Sequence, residues 1–316
     1  MSLNIEIDKK ALKIAKRFGY TPIKGLDKDR PYILLTKKDN KNYVIKTSHL
    51  EDEAEILKIL NSNEFFKNRG ILIPKLYQHG QHGKTYIVED YIGGREIDIK
   101  EDDFKKSLRM VIERLSGIEN GFNRIPRISE FTKGWNDQYS KKGFKNSLWL
   151  KKRISRWFSD EMSSRKNRFM DTETNEVYGL LRKIPGGNII TFGAFSPAHL
   201  RIDQNKLGIF DFGKHLRWAP KHYDRAYLWW GLLYDRDLKE ISPKYWRKLA
   251  VEIQSNIPNN EKAYYWSCIL ERLAGLAKDL TQSDRAKNPK WKKTITKIKN
   301  EMTIFAIGKL KEVTIK

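Results

Sequence analysis

Cysteine is nearly missing from this 316-residue chain: Cys268 stands alone, which excludes an intramolecular disulfide partner and any zinc site built from several cysteines. No stretch approaches the ~18 uncharged apolar residues that a membrane span needs. The run from Met1 to Tyr20 has no apolar core flanked by a small-residue cleavage site, so a soluble protein of a reducing, cytoplasmic compartment is expected. Internal repeats and low-complexity tracts are lacking too, which excludes a repeat array. Acidic side chains are scarce beside basic ones, 39 against 62, and the net charge of +23 favours polyanions such as RNA, DNA, anionic lipid or acidic protein faces. A lysine-rich proteome gives part of the same excess.

What is present argues for a folded chain. Hydrophobic residues make up 39% and aromatic residues 12%, with nine tryptophans, far more anchoring material than a chain that cannot collapse carries. Apolar residues at near-helical spacing between Ile5 and Phe18 predict a short opening helix. The β-prone runs Tyr32 to Thr36 and Tyr43 to Lys46 flank a segment whose Asp39 and Asn40 suit a hairpin turn. Glu51 to Leu60 reads as a helix with acids in its first turn, and Lys84 to Ile92 as a further strand ending at Gly93-Gly94. From Asp102 to Ile118 onward the pattern is mainly helical, with Asp224 to Leu232 and Glu261 to Leu280 rich in core-forming residues. The expectation is an α+β chain of two lobes: a β-rich lobe over 1–92 and a helical lobe over 93–316.

A nucleotide kinase must hold phosphates with a lysine, orient that lysine with an acid, hold magnesium with another acid and position the acceptor with a base. Lys46 ends a β-prone run and Glu53 follows on a helix, a spacing that allows an ion pair between them. Further on stand Thr191-Phe192-Gly193-Ala194-Phe195-Ser196-Pro197-Ala198-His199-Leu200-Arg201-Ile202, then Asp211-Phe212-Gly213, then Pro220 and Tyr223-Asp224-Arg225-Ala226. Between the lysine and this run lie Pro74, Leu76 and Gly80, and Tyr86-Ile87-Val88-Glu89-Asp90-Tyr91-Ile92-Gly93-Gly94.

In this fixed order the segments resemble the aminoglycoside phosphotransferase and choline kinase family, whose fold is the bilobal protein-kinase-like fold. The resemblance runs from Tyr20 to Leu232, with 191–213 as the catalytic-loop hairpin. It implies that Lys46 meets nucleotide phosphates, that Glu53 orients it, and that Asp211 holds a metal. It also implies that the run containing Val88, Glu89, Asp90 and Tyr91 is a hinge where backbone groups meet adenine. ATP and Mg are the cofactors implied.

The departures fall at the catalytic positions. Ala194 stands where the family carries its catalytic aspartate, and a methyl group can neither accept a proton nor orient a hydroxyl. Phe192 replaces a polar residue, and His199 replaces an asparagine that ligates metal. Imidazole is a poor ligand for magnesium, though it suits manganese, zinc or iron, so His199 is either a packed histidine or a metal ligand. The spacing of His79, His82, His215 and His222 suggests no zinc site. The stretch Lys24-Gly25-Leu26-Asp27-Lys28-Asp29-Arg30-Pro31 offers one glycine and two repelling acids where a phosphate loop wants several glycines, with Lys28 and Arg30 as compensation.

Two basic segments stand outside the resemblance. Residues 141–168 and 285–316 each hold ten basic and two acidic residues, so together they carry +16 of the +23. In the first, Lys151, Lys152, Arg153 and Arg156 lie opposite an apolar face of Leu150, Ile154, Trp157 and Phe158. In the second, Trp291, Ile295, Ile298, Met302 and Phe305 form a stripe, leaving Lys292, Lys293, Lys297 and Lys299 as a candidate polyanion face for RNA or an acidic protein. A solvated surface helix is the other reading.

Three functions are compatible with these residues. One is a pseudokinase with a binding or scaffold role. The second is an active ATP-dependent small-molecule phosphotransferase in which Asp203 or water replaces the base. The third is an RNA- or ribosome-associated protein on a kinase scaffold. An aminoglycoside is a poor substrate for a +23 chain, because both are cationic.

Overall fold

The computed structural model describes residues 8–26, 30, 32–48, 50–81, 84–132, 176, 179–180, 188–213, 215–234, 242–282 and 287–314. The chain divides into two compact units: Met1–Glu96 with Arg124–Phe131 and His199–Leu216, and Ile97–Asn123 with Thr132–Ala198 and Arg217–Lys316.

The first unit opens with helix α1 (Lys9–Arg17), capped by the Asp8 carboxylate, which accepts a hydrogen bond from the Lys10 N–H at 2.8 Å. Strands β1 (Thr21–Gly25), β2 (Ile33–Lys38) and β3 (Lys41–Ser48) follow, then helix α2 (Glu51–Asn61). Three more strands of this unit are β4 (Ile71–Leu72), β5 (Leu76–Gln81) and β6 (Thr85–Asp90). An antiparallel sheet runs in the order β1-β2-β3-β6-β5. The turn joining β2 to β3 holds Asp39 and Asn40 at φ 47° and 60°, the left-handed pair that a tight hairpin requires. Helix α1 lays Ala11, Ile14 and Ala15 against Leu34, Ile45 and Val88, so one face of the sheet is sealed.

The second unit begins with α3 (Phe104–Phe122) and contains β7 (Asn188–Thr191). The chain then forms a hairpin of β8 (Leu200–Asp203) and β9 (Lys206–Ile209). This hairpin groups with the first unit, because β4 pairs in parallel with β9. Gly94, at φ 101°, lets the backbone pass against the Ile202 carbonyl, where a Cβ would collide, and Arg95 and Ile202 then exchange backbone hydrogen bonds of 3.0 and 2.8 Å.

Beyond the hairpin, β10 (Arg217–Pro220) returns to pair with β7, and helices α4 (Tyr223–Tyr234), α5 (Pro243–Ile253), α6 (Lys262–Gln282) and α7 (Pro289–Thr314) complete the second unit. Trp229, Trp246 and Trp266 are fully buried there, and the Trp229 indole donates to the Trp246 carbonyl at 3.0 Å.

Helix α7 buries Ile295, Ile298 and Met302 as its stripe predicts, and Phe305 packs edge-on against Trp266. Lys299 is a correction. It was expected on the basic face, yet only 2% of it is exposed, because it follows Ile295 by four residues and precedes Met302 by three and so shares the buried side of the helix. Lys292, Lys293 and Lys297 are exposed. The first basic segment, with Lys151, Lys152, Arg153 and Arg156, lies outside the described residues, as do Asp27, Lys28, Asp29 and Pro31.

Candidate active site

Lys46 and Glu53 meet. The Lys46 Nζ lies 2.7 Å from Glu53 Oε1 and 2.8 Å from Glu89 Oε1, and all three side chains are buried. Sheet register explains the second contact. Val44 of β3 pairs with Glu89 of β6, and Lys46 shares the face of Val44, so Glu89 is its diagonal neighbour across the strands. Glu53 reaches Lys46 from the first turn of α2. Burial works against the Lys46 ammonium, but the charges of Glu53 and Glu89, followed by Asp211, outweigh it and hold its pKa above the usual lysine range. Among the described residues, Glu53 Oε2 and Glu89 Oε2 are buried without a hydrogen-bond donor. Gly213 keeps this corner tight: a Cβ there would lie 3.0 Å from Glu53 Oε2.

Burial pushes the Glu89 carboxyl up to about 7, against the pull of Lys46, and the Glu53 charge adds to the rise. A carboxyl whose folded pKa lies above its unfolded value contributes stability that is full below the unfolded pKa and is lost as pH rises through the folded one. Wild type should therefore lose stability, relative to Glu89→Gln, between about pH 4.5 and 7, by an amount on the order of 3 kcal/mol. Urea unfolding of both proteins across that window measures it, and parallel curves would show that Glu89 is ionised throughout.

The other hinge-run residues are placed by the same sheet. Val88 is fully buried in β6, Asp90 accepts Lys41 at 2.8 Å, and Tyr91 is partly exposed just beyond the strand.

Asp211 sits two residues past β9 with φ 68°, a conformation rare for a non-glycine residue. Its Oδ2 lies 2.8 Å from Arg30 Nη1, 3.5 Å from His199 Nε2 and 3.8 Å from His215 Nε2. Burial alone raises a carboxyl pKa, but the imidazoles of His199 and His215, with the Lys46 charge behind them, hold Asp211 well below the usual carboxylate range. Magnesium demands near-octahedral oxygen ligation. The three ligand groups gathered here supply one carboxylate and two imidazoles, so they do not fit magnesium.

In the second unit, the loop carrying Phe192, Gly193 and Ala194 is held from beneath. The Asp224 carboxylate accepts the Phe192 N–H at 2.8 Å and the Gly193 N–H at 2.7 Å. Phe192 is fully buried, edge-on to Phe195, and the Ala194 methyl is 2% exposed. Burial pushes Asp224 up to about 7, with the Glu119 charge adding and the two backbone donors pulling the other way. Arg225 anchors the start of α4 by donating to Ser116 Oγ at 2.7 Å and to the Ile253 carbonyl at 3.2 Å.

Sequence reasoning paired Lys46 with Glu53 and placed Asp211 just after a strand. It missed the Glu89 side chain, which was valued for its backbone, together with the meeting of Arg30 and His215 at Asp211 and the support given by Asp224. A charged residue inside the β-prone run Lys84 to Ile92 was the available signal for Glu89, once strand register was known.

No protein-family model and no curated protein sequence matches the chain. Solved structures do. An aminoglycoside phosphotransferase from Alicyclobacillus acidocaldarius is similar with a TM-score of 0.56 at 13% identity, over 90% of this chain and 91% of that one. The GDP complex of aminoglycoside 2'-phosphotransferase-IIIa gives 0.53 at 14% identity, over 94% and 98%. Amicoumacin kinase hAmiN, bound to AMP-PNP, Ca2+ and Ami, gives 0.53 at 12%, over 95% and 94%. The chain thus has the kinase-like α+β fold of the aminoglycoside phosphotransferases.

Proposed function

We propose that this protein is a kinase-fold binding protein that does not transfer phosphoryl groups, a pseudokinase of the aminoglycoside-phosphotransferase type. The observation that carries this reading is Ala194: a buried methyl group in a loop whose Phe192 and Gly193 N–H groups are held by Asp224. The loop is built, yet it presents no carboxylate to orient an acceptor hydroxyl, a loss that costs on the order of 10²- to 10⁴-fold in rate. Lys46 supports the same reading. Two of its three donors are taken by Glu53 and Glu89, so the Glu89 carboxylate competes with any phosphate for the ammonium. The nucleotides bound to the structural neighbours make a purine nucleotide the first ligand to test, with weak affinity in wild type.

Single-turnover assays with labelled ATP and Mg over a broad panel of hydroxyl acceptors decide the matter. No transfer is expected. Turnover at the ~1–100 s⁻¹ typical of kinases would replace this reading with that of an active phosphotransferase. Glu89→Gln should tighten nucleotide binding measured by calorimetry without restoring transfer.

A further inference from the structure

We infer that His199, Asp211 and His215 form a binding site for a borderline first-row divalent cation of the zinc type, in place of a magnesium site. This goes beyond the proposed function and needs no nucleotide. The three residues each offer one ligand atom, and these atoms lie within 4.8 Å of one another. All three side chains are largely enclosed, at 16%, 20% and 24% exposure, so the groups are held rather than waving in solvent.

The local fold explains why they meet. His199 ends a short 3-10 turn, Pro197–His199, and β8 leaves directly from it. The Phe210 N–H donates to the His199 carbonyl at 3.3 Å across the mouth of the hairpin, which sets Asp211 beside His199. Asp211 then takes its left-handed φ of 68°, and His215 follows four residues later with its ring centroid 5.1 Å from that of His199.

Donor chemistry selects the ion. Two imidazole nitrogens and one carboxylate suit manganese, iron, cobalt or zinc, with affinity rising from manganese through iron to cobalt, whereas magnesium prefers six oxygens. Three protein ligands leave coordination positions open. Arg30 is the internal competitor, since its guanidinium lies 2.8 Å from the same Asp211 oxygen on which both histidines converge.

The test is calorimetric titration of the full chain, stripped with chelator and without nucleotide, using zinc, cobalt and magnesium salts in turn. One zinc or cobalt ion per chain should bind, cobalt with visible ligand-field bands, and magnesium should bind at least about 100-fold more weakly. His199→Asn and His215→Ala should each weaken zinc by at least the ~10- to 100-fold typical of perturbed metal sites and bleach the cobalt bands. Arg30→Gln should strengthen it. Should a histidine variant fail to fold by circular dichroism, zinc protection of His215 from diethyl pyrocarbonate in the wild type gives the same answer. Zinc affinity unchanged in both histidine variants, zinc failing to protect His215, or magnesium binding as tightly as zinc would overturn the inference. None of these outcomes depends on phosphoryl transfer, so failure here leaves the pseudokinase reading standing.

Discussion

Lys46→Met should destabilise the protein by about 3–5 kcal/mol, the cost of breaking a buried ion pair from one side. Glu53 and Glu89 both lie within 2.8 Å of the ammonium and are almost wholly buried, so its removal leaves two buried acids without their cation. The loss comes from uncompensated burial, and not from any large net worth of the ion pairs themselves. Two features separate this account from a general packing defect. Adding Glu89→Gln to Lys46→Met should recover a substantial part of the loss, since one buried charge is removed. The single variant should also be relatively more stable at pH 5 than at pH 8, because burial already raises Glu89 and loss of the ammonium removes the charge that pulls it down. Denaturant unfolding at the two pH values measures both effects, and a loss below about 1 kcal/mol would mean that water reaches the acids.

Asp224→Ala should cost about 2–6 kcal/mol. It strands the Phe192 and Gly193 N–H groups in a buried loop, at ~1–3 kcal/mol for each unsatisfied donor. The penalty should shrink as pH rises from 4 to 8. Asp224 is raised to about 7, so its own contribution is full below its unfolded pKa and fades as it ionises in the interior. Chemical denaturation reads the cost, and amide hydrogen exchange at Phe192 and Gly193 locates it. Protection of those two amides unchanged in the variant would show that another group takes over their support.

Much of the fold was legible because local patterning and tertiary packing agree. Glu51 to Leu60 reads as a helix from its apolar spacing and acidic first turn, and α2 covers Glu51–Asn61. Asp39-Asn40 reads as a turn because only a few residue types tolerate left-handed backbone. Strands β1 and β5 were harder. Thr21–Gly25 is mostly exposed and contains Pro22, and Leu76–Gln81 alternates between partly buried and exposed positions but is too polar for the apolar residues to reveal that period.

For the candidate site, the sequence by itself determined the inventory: a lysine in a β-prone run, Lys46, a helix acid seven residues later, Glu53, an acid after a strand, Asp211, and no carboxylate at position 194. It also set the apolar stripe of α7, but it left open which lysines lie outside that stripe, and packing buried Lys299. Only the tertiary structure decided that Glu89 shares Lys46 with Glu53, because that contact follows from a register between strands some forty residues apart in the chain. Only the tertiary structure brought Arg30 to Asp211, from a segment far earlier in the chain. Asp211 and His215 are four residues apart, but among the described residues no helix spans them, and His199 lies twelve residues before Asp211 at the start of the hairpin. It is the hairpin closing on itself, with Asp211 turned into the left-handed region, that converges their side chains on one point.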